Sequence, residues 1–361
     1  MKQRVQGYDV ARALAIFGMV IVNFKIAMNA MEGNALLLGF SAIFEGRASA
    51  LFVILAGIGI TFLSNKARAS GDLTAMSSAR RSIIKRGVLL VVVGLIYTPI
   101  WQADILHFYG CYFIIAAFIF KLNDKGLLRF SVLCMLVFPI LMVLFDYEKN
   151  WNWSTLTYEN LWTIDGMLRH ILFNGFHPVF PWVAFLVFGM WLGRQDLSSR
   201  ETKNKLFKIA LCTLIMCELM FYFVRSAIGD GAALEMTVDE VAFLFSTSII
   251  PPLPQYIISA SSSAVIVLIG SLYFSEYFAD SKLHKWFYQT GQLSLTLYVA
   301  HVIVGMGLLN VIGKLENQSI GFSLLSVLVF CAMSVCFSVL WLKYFKVGPL
   351  EWCFRKVVGA S

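Results

Sequence analysis

Asp104 and His107 stand three residues apart, so a helix puts both on one face. A carboxylate beside an imidazole is the usual arrangement for a poised general base. The spacing also fits an N-cap, with Asp104 satisfying free helix N–H groups beside a core histidine. His177 precedes Pro178, with Pro181-Trp182 opening an apolar run, so it sits where a polar segment meets that run. Ser294, Tyr298 and His301 follow i, i+4, i+7 and form one polar stripe, read either as structural hydrogen bonding or as a site. Asn23 lies late in the first apolar run, as a hydrogen-bonding amide or a functional one, with Lys25 as a cation able to snorkel. Glu45 and Arg47 flank Gly46, either as an ion pair or with Arg47 as a donor to developing negative charge. Arg80-Arg81 and Lys85-Arg86 form the densest basic cluster, a solvated face or a site for phosphates.

The elements that must position these groups follow from composition. Of 361 residues, 59% are apolar and 14% charged, and mean hydropathy is +0.75. Soluble proteins run at about 45–50% apolar and about 25% charged. A soluble globule of this length cannot bury so much apolar surface. A soluble enzyme, a disordered chain and a disulfide-rich secreted module are therefore excluded. The net charge of +8 fits basic loops at a membrane surface, and no nucleic-acid partner is expected. Seven cysteines lie nearly all in apolar runs without a CxxC pair, which reads as small buried hydrophobes and no metal site. No cleavable signal peptide is visible.

A hydrocarbon core of about 30 Å needs about 20 apolar residues as helix. Candidate runs lie at 10–28, 47–64, 86–100, 103–121, 127–145, 179–194, 206–226, 255–275, 290–310 and 322–344. The third and fourth share the short turn Pro99–Asp104 and are expected to form a hairpin. The expected fold is all-α, a polytopic membrane bundle of about ten helices forming a single domain over 1–361. With the N-terminus inside, 23 of the 29 basic residues fall on inner segments, among them Lys2, Arg4 and Arg12. That places both termini in the cytoplasm. Residues 146–178 and 227–254 are expected as outer loops, the second carrying Asp230, Glu235, Asp239 and Glu240, and 65–86 as a cytoplasmic loop. Trp151, Trp153 and Trp162 read as an interfacial belt. No P-loop, dinucleotide fingerprint, HExxH or GxSxG occurs.

Taken in order, several segments resemble the transmembrane acyltransferase superfamily, in its YeiB-like branch related to heparan-alpha-glucosaminide N-acetyltransferase. They are Gly7-Tyr8-Asp9-Val10-Ala11-Arg12 running to Val22-Asn23, Gly46-Arg47-Ala48-Ser49 with Leu55-Ala56-Gly57, and Asp104-Ile105-Leu106 with Tyr109-Gly110. Pro178-Val179-Phe180-Pro181-Trp182 through Gly193-Arg194, Leu293-Ser294-Leu295-Thr296-Leu297-Tyr298 with His301, and Gly348-Pro349-Leu350-Glu351-Trp352 with Arg355 complete the resemblance, which covers nearly the whole chain. It implies a bundle that takes acyl-CoA from the cytosol and acylates an acceptor on the far side, as a homodimer in the bacterial inner membrane. It also implies catalysis by an Asn late in span one and a His in the following loop. Asn23 matches the first, whereas residues 29–46 contain no histidine. His177, His107 or His301 must then supply the base from elsewhere.

The expected function is acyl transfer, with acetyl-CoA or another acyl-CoA as cosubstrate and no metal. Arg80, Arg81 and Arg86 are candidates for its phosphates. His177 is the first candidate base, Asn23 and Arg47 would stabilise the oxyanion, and Asp104 would orient an imidazole or shape the acceptor pocket. The acceptor would be a glycan or lipid headgroup, amid membrane lipids. The rival reading is a transporter or flippase using the same polar groups as a path.

Overall fold

The structure is a computed structural model describing residues 5–228 and 236–359. Lys2, Arg4, Asp230 and Glu235, which entered the charge reading, lie outside the described residues. The protein is all-α and polytopic, with a helix on every expected apolar run. The segments are α1 (Gly7–Ala27), α2 (Ala35–Ala42), α3 (Arg47–Ser70), α4 (Leu73–Tyr97), α5 (Leu106–Ile119), α6 (Asp124–Leu144), α7 (Ile164–Arg169), α8 (Val179–Leu192) and α9 (Arg200–Ile228). They continue as α10 (Val238–Phe245), α11 (Pro254–Tyr277), α12 (Lys282–Gln292), α13 (Ser294–Ala300), α14 (Gly307–Val311), α15 (Ile320–Tyr344) and α16 (Pro349–Val358).

Among the described residues, 7 helical segments are long and apolar enough to cross a membrane, or 8 if the bent pair Ile164–Asn174 and Val179–Leu192 is one span. The runs expected at 86–100 and 103–121 differ in kind. They are the apolar end of α4 and the 14-residue α5. At 1.5 Å per residue α5 rises only about 21 Å, short of the hydrocarbon thickness. The stretch 65–86 is helical except at Gly71 and Asp72, because its charges lie on helix surfaces, and the Asp72 carboxylate caps α4 through Thr74 N and Ala75 N.

The chain divides into two compact units, residues 1–52 with 263–361 and residues 53–262. In the first, α1 is mostly buried and packs against α12, α13 and α15. The start of α13 is held by Glu351. Its carboxylate accepts from Leu295 N (2.7 Å), Thr296 N (3.1 Å) and Thr296 Oγ1 (2.6 Å). A carboxylate there satisfies orphan donors and faces the positive helix end. Glu351→Ala is expected to cost about 1–3 kcal/mol, read as a lower melting temperature in lipid nanodiscs, with Glu351→Gln losing less.

In the second unit α4 pairs with α5, and α6 with α8. Helices α3 and α8 cross where Gly57 meets Gly189. A Cβ on Gly57 would overlap the Leu186 carbonyl, and one on Gly189 would overlap the Ile54 carbonyl. Thr61 Oγ1 clamps the crossing by donating to the Met190 carbonyl at 2.7 Å. Gly59, grouped with Gly57 by sequence, faces open space.

The segment 146–178 is built rather than looped. A two-residue hairpin pairs Trp151–Asn152 with Thr157–Tyr158, the only strands among the described residues. Trp151 and Trp153 stack at 4.6 Å, and Tyr147, Trp153, Phe138 and Phe173 share an apolar cluster. These two tryptophans are half-buried and pack against other rings of the segment. Trp162 alone of the three is exposed, at 64%. Asn174 organises the segment. Its Nδ2 donates to the Tyr147 and Lys149 carbonyls (both 2.9 Å), its Oδ1 accepts from Tyr158 OH (2.8 Å), and its carbonyl accepts from Trp151 Nε1 (2.5 Å).

Candidate functional site

In the first unit, Asn23 on α1 and His301 meet although 278 residues separate them, with Asn23 Nδ2 2.9 Å from His301 Nε2. His301 Nδ1 is bonded to the Tyr298 carbonyl. A carbonyl only accepts, so Nδ1 carries the proton and Nε2 keeps the lone pair. The Asn23 amide donates to that lone pair. His301 is fully buried, begins the π-helical turn His301–Met306, and lies against the Tyr298 ring at 5.2 Å. The π turn adds a residue inside the span, a device that re-aims side chains at functional sites. The stripe read from Tyr298 to His301 is thus one buried face, whereas Ser294 is half-buried at the start of α13.

Lys25, two residues after Asn23, is buried and ends on Glu45 at 2.8 Å. It does not snorkel, because a carboxylate is within its reach. Arg47 opens α3 and is half-buried.

The second unit gathers Asp104, His107, His170 and His177. Asp104 contacts both the first N–H groups of α5 and the His107 ring. Its Oδ2 accepts from Leu106 N (2.9 Å) at the start of α5 and lies 3.1 Å from His107 Nδ1. Thr98 Oγ1 is 3.4 Å from the same Nδ1. The position of His107 is set by Gly94 on α4, where a Cβ would overlap His107 N. His107 and His170 rings stack at 5.5 Å, and Phe108 lies between His170 (4.9 Å) and His177 (6.0 Å). His177 is covered by Trp182 at 4.6 Å, and its carbonyl accepts from Tyr112 OH. Each of the three imidazoles keeps one buried ring nitrogen without a hydrogen-bond partner: His107 Nε2, His170 Nδ1 and His177 Nδ1. His170 and Asn174 were missed from sequence. Their signal was the four-residue spacing of His170 and Asn174, which puts both on one helical face, whereas His177 lies past the helix end.

Of the basic candidates, Arg80 is committed in part. Its Nε donates to the Ala117 carbonyl at 3.1 Å and its guanidinium lies over Phe118 at 5.8 Å. Arg81 is exposed and Arg86 half-buried. Arg194 closes the same end of α5, donating to the carbonyls of Phe120 (3.0 Å) and Leu122 (2.7 Å) and to Asp124 (3.0 Å). Cations at a helix C-terminus are favoured by the dipole.

Residues 4–226 match the family described as heparan-alpha-glucosaminide N-acetyltransferase, catalytic. The chain belongs to that family. Residues 192–361 of this YeiB-like family member match a second family, described as a protein of unknown function, DUF418. The chain is also similar to the uncharacterized protein YxaH of Bacillus subtilis (strain 168), 22% identical over 425 aligned positions that cover 99% of this chain and 95% of the relative. The protein is an acyltransferase-like membrane protein. The N-acetyltransferase match contains Asn23, Arg47, Asp104, His107 and His177, whereas His301 lies in the part matched by DUF418.

Proposed function

We propose that this protein transfers an acyl group, acetyl first, from cytosolic acyl-CoA to an acceptor hydroxyl or amine on the other side of the bacterial inner membrane, with both termini cytoplasmic and the chain a homodimer. The single observation that supports this reading is the Asn23–His301 contact. It joins the asparagine that matches the family's catalytic one to a histidine of fixed tautomer, which supports His301 as the base in place of the missing loop histidine. That contact favours His301 over His177, whose ring nitrogen Nδ1 has no hydrogen-bond partner to orient it.

In the proposed reaction the acceptor replaces Asn23 at His301 Nε2, which takes the acceptor proton as the acceptor attacks the thioester carbonyl. The freed Asn23 N–H donates to the developing oxyanion, with Arg47 as a second donor. The C–S bond breaks, and the CoA thiolate takes the proton back from the imidazolium. Net, acceptor and acyl-CoA give acylated acceptor and free CoA thiol. Asp104 and His107 are kept as a positioning pair in their own unit. The glycan or lipid headgroup nature of the acceptor belongs to the same proposal.

The α4 cations would hold the CoA phosphates. Arg81→Ala is expected to raise KM for acetyl-CoA by about three- to tenfold with kcat little changed, measured by steady-state thiol release. Purified protein in nanodiscs with labelled acetyl-CoA tests the whole reading. An acyltransferase binds acetyl-CoA and releases CoA thiol slowly to water even without acceptor. A transporter or flippase does neither, and that result sinks the proposal.

A further inference from the structure

Within the second unit a polar cavity of about 380 Å³ is lined by Thr98, Gln102, Tyr158, Asn160, Trp162 and Thr163 among others, none of them charged. Nothing in the proposed acyl transfer uses it. Its volume is that of about a dozen waters, the scale of one hexose and far too small for a coenzyme. Three features of its wall point to one chemistry. Trp162 offers an exposed indole, a flat apolar surface for the C–H face of a ring. Gln102 and Asn160 bring primary amides, each both donor and acceptor, which match hydroxyl groups of the same dual character. The Gln102 carbonyl oxygen accepts from Tyr158 N at 3.0 Å, which fixes the amide and leaves its NH₂ to donate. Burial raises the Tyr158 phenol above its ordinary range, against its hydrogen bonds with Asn150 and Asn174, so the phenol stays neutral.

The back of the cavity is rigid. Tyr158 is pinned through its hydroxyl to Asn174 at 2.8 Å and lies edge-on to His170 at 4.6 Å, and Thr98 abuts His107. A preformed wall of this kind binds with little ordering cost.

We infer that this cavity is a binding site for an uncharged, hydroxyl-rich ring, a neutral pyranoside unit, stacked on Trp162 and held by Gln102 and Asn160. The ammonium of an amino sugar or the carboxylate of a uronic acid finds no counter-charge on the lining and binds less well.

Binding is read without acyl donor, so it stands or falls apart from the chemistry at His301. The test uses protein in phospholipid nanodiscs free of glycoside detergent, titrated with methyl α-D-glucopyranoside and followed by saturation-transfer NMR. Glucosamine and glucuronate are the comparators. Wild type is expected to bind the neutral glycoside saturably with a Kd on the order of millimolar, weak as befits a single ring. Trp162→Ala, at an exposed position that leaves the fold intact, is expected to weaken binding at least about tenfold, while Trp162→Phe keeps most of it. Absence of saturable binding, equal binding by Trp162→Ala, or tighter binding of either charged sugar overturns the inference.

Discussion

Replacing His301 by alanine is expected to lower acyl turnover by about a hundred- to ten-thousand-fold, the usual range for loss of a general base. The effect should appear in kcat and kcat/KM together, because the imidazole acts on the acceptor proton and not on the coenzyme. The change also strands the Asn23 amide, whose Nδ2 now ends on His301 Nε2 at 2.9 Å. An unpaired amide of this kind costs about 1–3 kcal/mol, so the melting temperature should fall while the protein still folds. His301→Gln keeps a polar partner for Asn23 and recovers stability without recovering turnover. That split separates a base from a structural histidine. Asn23→Ala should cost less, about a hundredfold, as the loss of one oxyanion donor.

Gly57→Val is expected to abolish a monodisperse, folded protein. The Cβ alone would overlap the Leu186 carbonyl and crowd Met190 N, and both are backbone atoms of α8. Side chains can turn away from an intruding methyl, but helix backbone cannot. Overpacking in cores costs about 1–3 kcal/mol when side chains give way, and this contact exceeds that range because none can. Small residues at such crossings are what let membrane helices approach. Gly59→Val is the control, since Gly59 faces open space. Size-exclusion profiles and melting curves of the two variants check the claim. A Gly57→Val protein that melts within a few degrees of wild type would refute it.

The helices were legible because apolar runs longer than a bilayer is thick have few alternatives in water or lipid. Their ends were less so. Polar residues 65–70 and 73–86 continue α3 and α4, so charge there does not mark a loop. The segment 146–178 was opaque, because two-residue strands and a π turn leave no periodicity to read. Lys25 was legible as costly at depth, but its partner Glu45 was not, since the pairing depends on how α1 and residues 43–46 pack. The same holds for Asn23 and His301. Each residue stood out as a polar group in an apolar run, and only the packed unit brings them together.

The central claim is that the imidazole facing Asn23 does the chemistry. The most direct test is acetyl-CoA thioester cleavage measured side by side in wild type, His301→Ala and His177→Ala, each in nanodiscs and each shown to be folded. The account predicts that His177→Ala releases CoA thiol within about tenfold of wild type and that His301→Ala falls to background. Undiminished release from His301→Ala, or loss confined to His177→Ala, contradicts it.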